Sequence, residues 1–211
     1  MGYDLYVVTD EKIGRGRSHA ELAARAVAGG ADVIQLRDKY LSGRALFDAA
    51  LTVREITLDA GALFIVNDRL DVALASGADG VHLGAGDLPI REARRIAPPG
   101  FIIGASVGSA ATAVRAAVEG ADYVALSPTF ATGSKNDAGP GHGLMMLSAV
   151  RTAVSLPLVA IGGITPANVD DVIAAGADGV AVISAVVGKD DVTAAARDLR
   201  ARIAAAKARG R

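Results

Sequence analysis

The chain has 211 residues, 51% of them apolar, a formal net charge of -1 and no cysteine. Near-neutral charge offers no attraction to nucleic acid or to an anionic membrane surface. The lack of Cys excludes disulfides, a thiol nucleophile and a thiolate metal site, and it fits a reducing cytoplasm. The length suits one domain over residues 1–211 with a substantial core. No apolar stretch reaches the roughly 20 residues that span a bilayer, and Met1-Gly2-Tyr3-Asp4 begins no signal-peptide pattern.

In chain order, Leu5 to Val8 is the first of several short apolar runs that read as strands. An Ala-rich stretch then ends in Gly30-Ala31-Asp32, and Val33 to Leu36 follows at once. Ser42 caps a helix in which Leu46, Ala50, Val53 and Ile56 recur at helical spacing. Ala62 to Val66 is the third run, and Gly77-Ala78-Asp79 launches the fourth, Gly80 to Leu83. Phe101 to Ile103 precedes Gly120-Ala121-Asp122 and its run Tyr123 to Leu126. Leu156 to Ile161 comes next, and Thr165-Pro166 then predicts a helix start with a cap followed by Pro. Gly176-Ala177-Asp178 launches Gly179 to Ile183, and Val192, Ala196, Leu199, Ile203 and Ala206 mark a final helix.

Gly-Ala-Asp thus precedes strands 2, 4, 6 and 8, each time after an Ala-rich segment. Its Gly reads as a helix C-cap and the run behind it as a buried parallel strand. Eight strands alternating with helices leave a closed barrel or a doubly wound open sheet. An open sheet reverses its strand order and has no fourfold regularity, so the repeat predicts a single α/β (β/α)8 TIM barrel. Its active site belongs at the carboxyl ends of the strands, while the repeat Asp residues mark the amino ends, the stability face.

Polar residues collect at those carboxyl ends. Gln35, Arg37 and Lys39 alternate along strand 2, which turns all three to one side. Arg37 and Lys39 offer a fork and a point charge to an anion; the competing reading pairs them with Asp10, Asp38 or Asp68. Asp68 and Asp87 follow successive strands and would hold Mg2+ together with phosphate oxygens and water. The competing reading pairs Asp68 with Arg69 or Arg91 and makes Asp87 a helix cap ahead of Pro89. Residues 128–143 form a long Gly/Pro-rich loop that reads as a lid, with Lys135 beside the hydroxyls of Thr132 and Ser134. Gly162-Gly163 lets a ligand approach the backbone, and with Ile183-Ser184 it stands where barrels of this kind often bind phosphate. His19, next to Ser18 at a helix start, reads as solvated. His142 falls in the lid, and His82 near Asp87 reads as packing or hydrogen-bonding. No Ser-His-Asp set or His-rich metal spacing is present, which points to a reaction driven by leaving-group stabilisation.

Taken together these segments resemble the thiamine phosphate synthase family over almost the whole chain. The resemblance is carried by Gln35-Leu36-Arg37-Asp38-Lys39, Asn67-Asp68-Arg69, and Gly77 to Gly84 leading to Asp87-Leu88-Pro89. It continues through Gly104-Ala105-Ser106, Thr132 to Lys135, Ile161 to Ile164 and Gly179 to Ser184. It implies a transferase that joins 4-amino-2-methyl-5-hydroxymethylpyrimidine diphosphate to thiazole phosphate and releases diphosphate. By the same resemblance Gln35 holds the pyrimidine, while Arg37, Lys39, Asn67, Ser106 and Lys135 bind its diphosphate. Arg37, Lys39, Lys135 and Ser106 are the expected catalytic set, and Asp68 and Asp87 serve Mg2+. Thr132, Ser134, Gly163, Ile183 and Ser184 hold the thiazole phosphate. The partners implied are these two small molecules, with no nucleic acid and no membrane, and a homo-oligomer is left open.

The chain departs from the family at Ala85-Gly86, where Gln-Glu is frequent, at Ser127, where Gly is usual, and at Ser134, which replaces a Thr. The rival reading is a thiazole tautomerase of the same barrel, which generally lacks the second carboxylate and carries a His near the end of strand 6. Asp87 and Pro128 favour the synthase over it. A phosphate-binding protein without activity would not need Asp68, Asp87 and Lys135 together.

Overall fold

The computed structural model describes residues 2–134 and 139–209. Eight parallel strands close in sequence order into one barrel: β1 (Leu5–Thr9), β2 (Val33–Leu36), β3 (Leu63–Asn67), β4 (Gly80–Leu83), β5 (Ile102–Val107), β6 (Tyr123–Leu126), β7 (Leu158–Ile161) and β8 (Gly179–Val182). The helices between and after them are α1 (His19–Ala28), α2 (Gly43–Ala60), α3 (Leu70–Ala75), α4 (Ile90–Ile96), α5 (Ala110–Glu119), α6 (Gly143–Ala153), α7 (Val169–Ala174) and α8 (Val192–Arg209). The expected (β/α)8 barrel is therefore the fold.

Strand boundaries follow local chemistry. β7 begins at Leu158 rather than at Leu156 because Pro157 has no N–H to give the ladder. β5 runs on past Ile103 to Val107, its small residues Gly104, Ala105 and Ser106 pairing with β6 opposite Tyr123, Val124 and Ala125. Ser42 caps α2 by accepting from the Ala45 N–H, and α8 buries Val192, Ala196, Leu199, Ile203 and Ala206 as the spacing predicts. One expected start is displaced. α7 begins at Val169, not at Thr165-Pro166. Thr165 instead opens a turn in which the Asn168 side chain accepts from the Thr165 N–H, and the helix starts only once that turn is complete.

The Gly-Ala-Asp repeat holds the amino end of the barrel shut. Gly30, Gly77, Gly120 and Gly176 all sit at positive φ, between 68° and 106°, where a side chain would be strained. Each Asp then clamps the preceding odd-numbered strand. Its N–H donates to a strand carbonyl, and its carboxylate accepts from the N–H of the same residue. The partners are Leu5 for Asp32, Phe64 for Asp79, Ile103 for Asp122 and Leu158 for Asp178. An arginine from an even-numbered helix closes every clamp: Arg200 on Asp32, Arg54 on Asp79, Arg94 on Asp122 and Arg151 on Asp178.

Among the described residues no helix is long and apolar enough to cross a membrane.

Candidate active site

The carboxyl ends of the strands carry two adjoining cavities. Arg37 and Lys39 from the loop after β2, Asn67 and Asp68 from the end of β3, Asp87 after β4 and Ser106 of β5 line an open cleft of about 1030 Å³. Thr132, Ser134, Gly163, Ile183 and Ser184 line a second cavity of about 380 Å³ over β7 and β8. Ser127 and Pro128 belong to both, so one short segment after β6 is the shared wall. Gln35 lies below, buried inside the barrel. Every expected site residue except Lys135 thus falls at one end of the barrel; Lys135 lies outside the described residues.

The basic group is partly held by protein. Arg37 Nη1 donates to Asp10 Oδ2 at 3.2 Å, one of the pairings the sequence left open. Asp38 does not pair with it. The Asp38 carboxylate accepts from the N–H groups of Tyr40 and Leu41 and faces His19 Nε2 at 3.4 Å. His19 overturns the expectation of a solvated side chain. It is 1% exposed and its Nδ1 lies 2.7 Å from the Thr9 hydroxyl. The start of α1 packs over the end of β1, so the first helical side chain points into the barrel rim rather than to water.

Asp68 stands at φ 63°, a left-handed conformation uncommon outside glycine. The Arg69 N–H reaches back to the Asn67 carbonyl at 2.7 Å, which closes a tight turn with Asp68 at its middle. That strain aims the carboxyl into the cleft, the kind of cost seen at functional sites. Burial, then the neighbouring Asp87 carboxylate, pushes the Asp68 carboxyl up to about 6, against weaker opposing pulls from Lys39 and Arg37. Arg69 pairs with Asp71 instead of Asp68. Asp87 caps nothing: α4 starts at Ile90 without a side-chain cap, and Asp87 Oδ2 accepts from the Gly84 N–H at 2.7 Å. Two crowded carboxyls with hard oxygen donors fit a divalent cation such as Mg2+, whose charge relieves their repulsion and whose remaining positions suit phosphate oxygens or water.

In the second cavity Ser134 Oγ donates to Ser184 Oγ at 3.3 Å, which ties the loop after β6 to the end of β8. The loop reaches there by prolonging the sheet. Thr129 and Phe130 donate their N–H groups to the carbonyls of Ile161 and Gly162. Gly162 and Gly163 both have positive φ, and a Cβ on either would meet Pro128 or Ala131 at 2.7 Å. The space those glycines free is filled first by this loop, a packing role the sequence reading did not include.

The sequence reading also missed Tyr6 and Tyr123. Both are buried in the barrel interior, joined hydroxyl to hydroxyl at 2.9 Å, and bonded to Gln35 and His82 respectively. Their only signal was a polar-tipped aromatic in a strand where the other inward residues are small or aliphatic. His82 does hydrogen-bond, as expected, with Ser106 as its second partner.

Comparison with known proteins agrees with the fold and extends it. Residues 5–186 match the family described as thiamine monophosphate synthase. The thiamine-phosphate synthase of Methanoculleus marisnigri is 81% identical over the full length of both chains. That of Methanoregula boonei is 64% identical over 98% of this chain and 96% of its own. A solved structure, the thiamine phosphate pyrophosphorylase from Pyrococcus furiosus, superposes with a TM-score of 0.90 at 43% identity and covers 97% of this chain and 96% of its own. On the family match and on these identities, the chain belongs to the thiamine monophosphate synthase family.

Proposed function

We propose that the chain joins 4-amino-2-methyl-5-hydroxymethylpyrimidine diphosphate to thiazole phosphate, giving thiamine phosphate and free diphosphate. One observation carries the reading beyond family membership: a charged cleft and a hydroxyl- and glycine-lined cavity open side by side and share the Ser127-Pro128 wall. Two phosphorylated substrates bound there would have their rings meeting where the two cavities adjoin.

In this reading Gln35 holds the pyrimidine from below, and Asn67 and Ser106 hydrogen-bond its diphosphate. Arg37 and Lys39 neutralise the charge that grows on the departing diphosphate, a transition-state effect rather than uniform binding. The Asp10 contact keeps the Arg37 fork in the cleft, so little reorganisation is needed as charge develops. Lys135 adds a further cation from the loop after β6, by resemblance to the family. Thr132, Ser134, Gly163, Ile183 and Ser184 hold the thiazole phosphate. The thiazole nitrogen already carries a lone pair, so no base is needed to activate it. Asp68 and Asp87 would hold Mg2+, which when bound supplies charge neutralisation to the leaving group.

The direct test mixes both substrates with and without Mg2+ and looks for thiamine phosphate. Product that requires the cation is the expected result. No product, or a change in the thiazole alone, would overturn the reading.

A further inference from the structure

A hydrogen-bonded chain crosses the barrel interior beneath the cleft. Gln35 Nε2 donates to Tyr6 Oη at 2.7 Å, and Tyr6 Oη lies 2.9 Å from Tyr123 Oη. Tyr123 Oη is 2.9 Å from His82 Nδ1, and His82 Nε2 is 2.9 Å from Ser106 Oγ. The five side chains come from β2, β1, β6, β4 and β5, so the chain runs from one side of the mouth to the other. Space for it is built in: a Cβ on Gly104 would lie 2.0 Å from the Tyr123 ring.

Burial holds both phenols well above their ordinary pKa, so each keeps its one proton. A phenol with one proton, between two partners, donates to one and accepts from the other. A neutral imidazole likewise carries one N–H. The chain therefore has two self-consistent polarities. In the first, the Gln35 amide donates inward, each member donates onward, and His82 gives its Nε2–H to Ser106. The Ser106 proton then faces the cleft, and the Gln35 oxygen is left as an acceptor. In the second, all of this reverses: Ser106 donates to His82, and Gln35 presents its N–H groups outward.

We propose that Tyr6, Tyr123 and His82 form a positioning relay that couples the two ends of the cleft. A ligand that donates a hydrogen bond to Gln35 selects the polarity in which Ser106 donates to an anion. The site then recognises a molecule that is a hydrogen-bond donor at one end and an anion at the other, and it disfavours one that accepts at both. The amino group and the diphosphate of an aminopyrimidine diphosphate have this pairing. The inference rests on reading Gln35 and Ser106 as substrate contacts.

The tautomer of His82 is the readout, because a merely structural role would not move it. With three histidines in the chain, its ring 15N resonances are assignable by difference against His82→Gln. At about pH 8, wild type with the aminopyrimidine lacking its phosphates is expected to show the Nε2–H form. Gln35→Glu, an acceptor only, is expected to show the Nδ1–H form and to bind inorganic diphosphate with Mg2+ about tenfold more weakly. Adding Tyr123→Phe should shrink that loss to about twofold or less. An unchanged His82 tautomer in Gln35→Glu would overturn the relay. So would an equal loss of diphosphate affinity with and without the Tyr123 hydroxyl, since that is direct repulsion by the new carboxylate. Should Gln35→Glu not fold, Tyr6→Phe cuts the first link and must abolish the response of His82 to the aminopyrimidine; a retained response overturns the proposal. If wild type binds no diphosphate, the reading of the cleft fails, while the tautomer comparison, which needs no diphosphate, still decides the relay.

Discussion

Asp68 combines a positive φ, partial burial and a carboxylate neighbour, three costs at one residue. Its carboxyl titrates at about 6 in the folded chain against 3.8 as the ordinary value. The fold therefore binds that proton more tightly than the unfolded chain does, and the stabilisation is complete below the lower value. It is lost as pH rises through about 6. A bound cation supplies what the proton no longer does. Mg2+ is thus expected to raise the urea midpoint more at about pH 8 than at about pH 5, and Asp68→Asn should erase the difference. An equal gain at both pH values would place the cation elsewhere. Gly104 gives a second test at this scale. Ala there would drive a methyl into the Tyr123 ring, and overpacking of this kind costs about 1–3 kcal/mol. Unchanged thermal stability in Gly104→Ala would mean that Tyr123 moves aside freely. Residue type alone revealed Asp68 and Asp87 as a carboxylate pair, but the strained turn under Asp68 depends on backbone geometry that no spacing displays.

At the scale of elements, the fourfold Asp clamp explains why an acidic residue recurs so regularly yet stays out of the chemistry. Asp178→Ala leaves the Leu158 N–H without its carboxylate and Arg151 without its charge partner. A cost of about 1–3 kcal/mol is expected, with kcat of the folded protein unchanged because the clamp sits at the far end of the barrel. A large fall in kcat at unchanged stability would refute the scaffold role. His19 works at the opposite end. Through Asp38, which binds the backbone of Tyr40 and Leu41, it anchors the loop that carries Arg37 and Lys39. His19→Ala should raise KM for the pyrimidine diphosphate more than for thiazole phosphate; equal changes in both would deny that anchoring. The strands and the long helices were legible because their apolar runs and caps are local. α7 was misplaced because the Thr165 turn competes with the helix start, and that competition is settled by how Asn168 folds back.

For the whole molecule, the site divides across the mouth. The polar cleft draws on the ends of β2 to β5 and the smaller cavity on those of β7 and β8, and the segment after β6 walls both. A bulky replacement such as Ser184→Phe should therefore raise KM for thiazole phosphate while leaving that for the pyrimidine nearly unchanged. Equal effects would move the thiazole phosphate to another part of the mouth.

The barrel was legible from residue order alone, because a repeat that ends helices and launches every second strand has few other solutions. So were the residue types at the strand ends, since those follow directly from strand boundaries. How these residues meet emerges only in the folded barrel: Arg37 on Asp10, Asp87 turned back to Gly84, His19 buried, and Tyr6 and Tyr123 joined across the interior. Contacts between strands far apart in the chain depend on closure of the barrel. Closure turns inward residues from β1, β2, β4, β5 and β6 into neighbours, and no local pattern encodes which hydroxyl will find which partner.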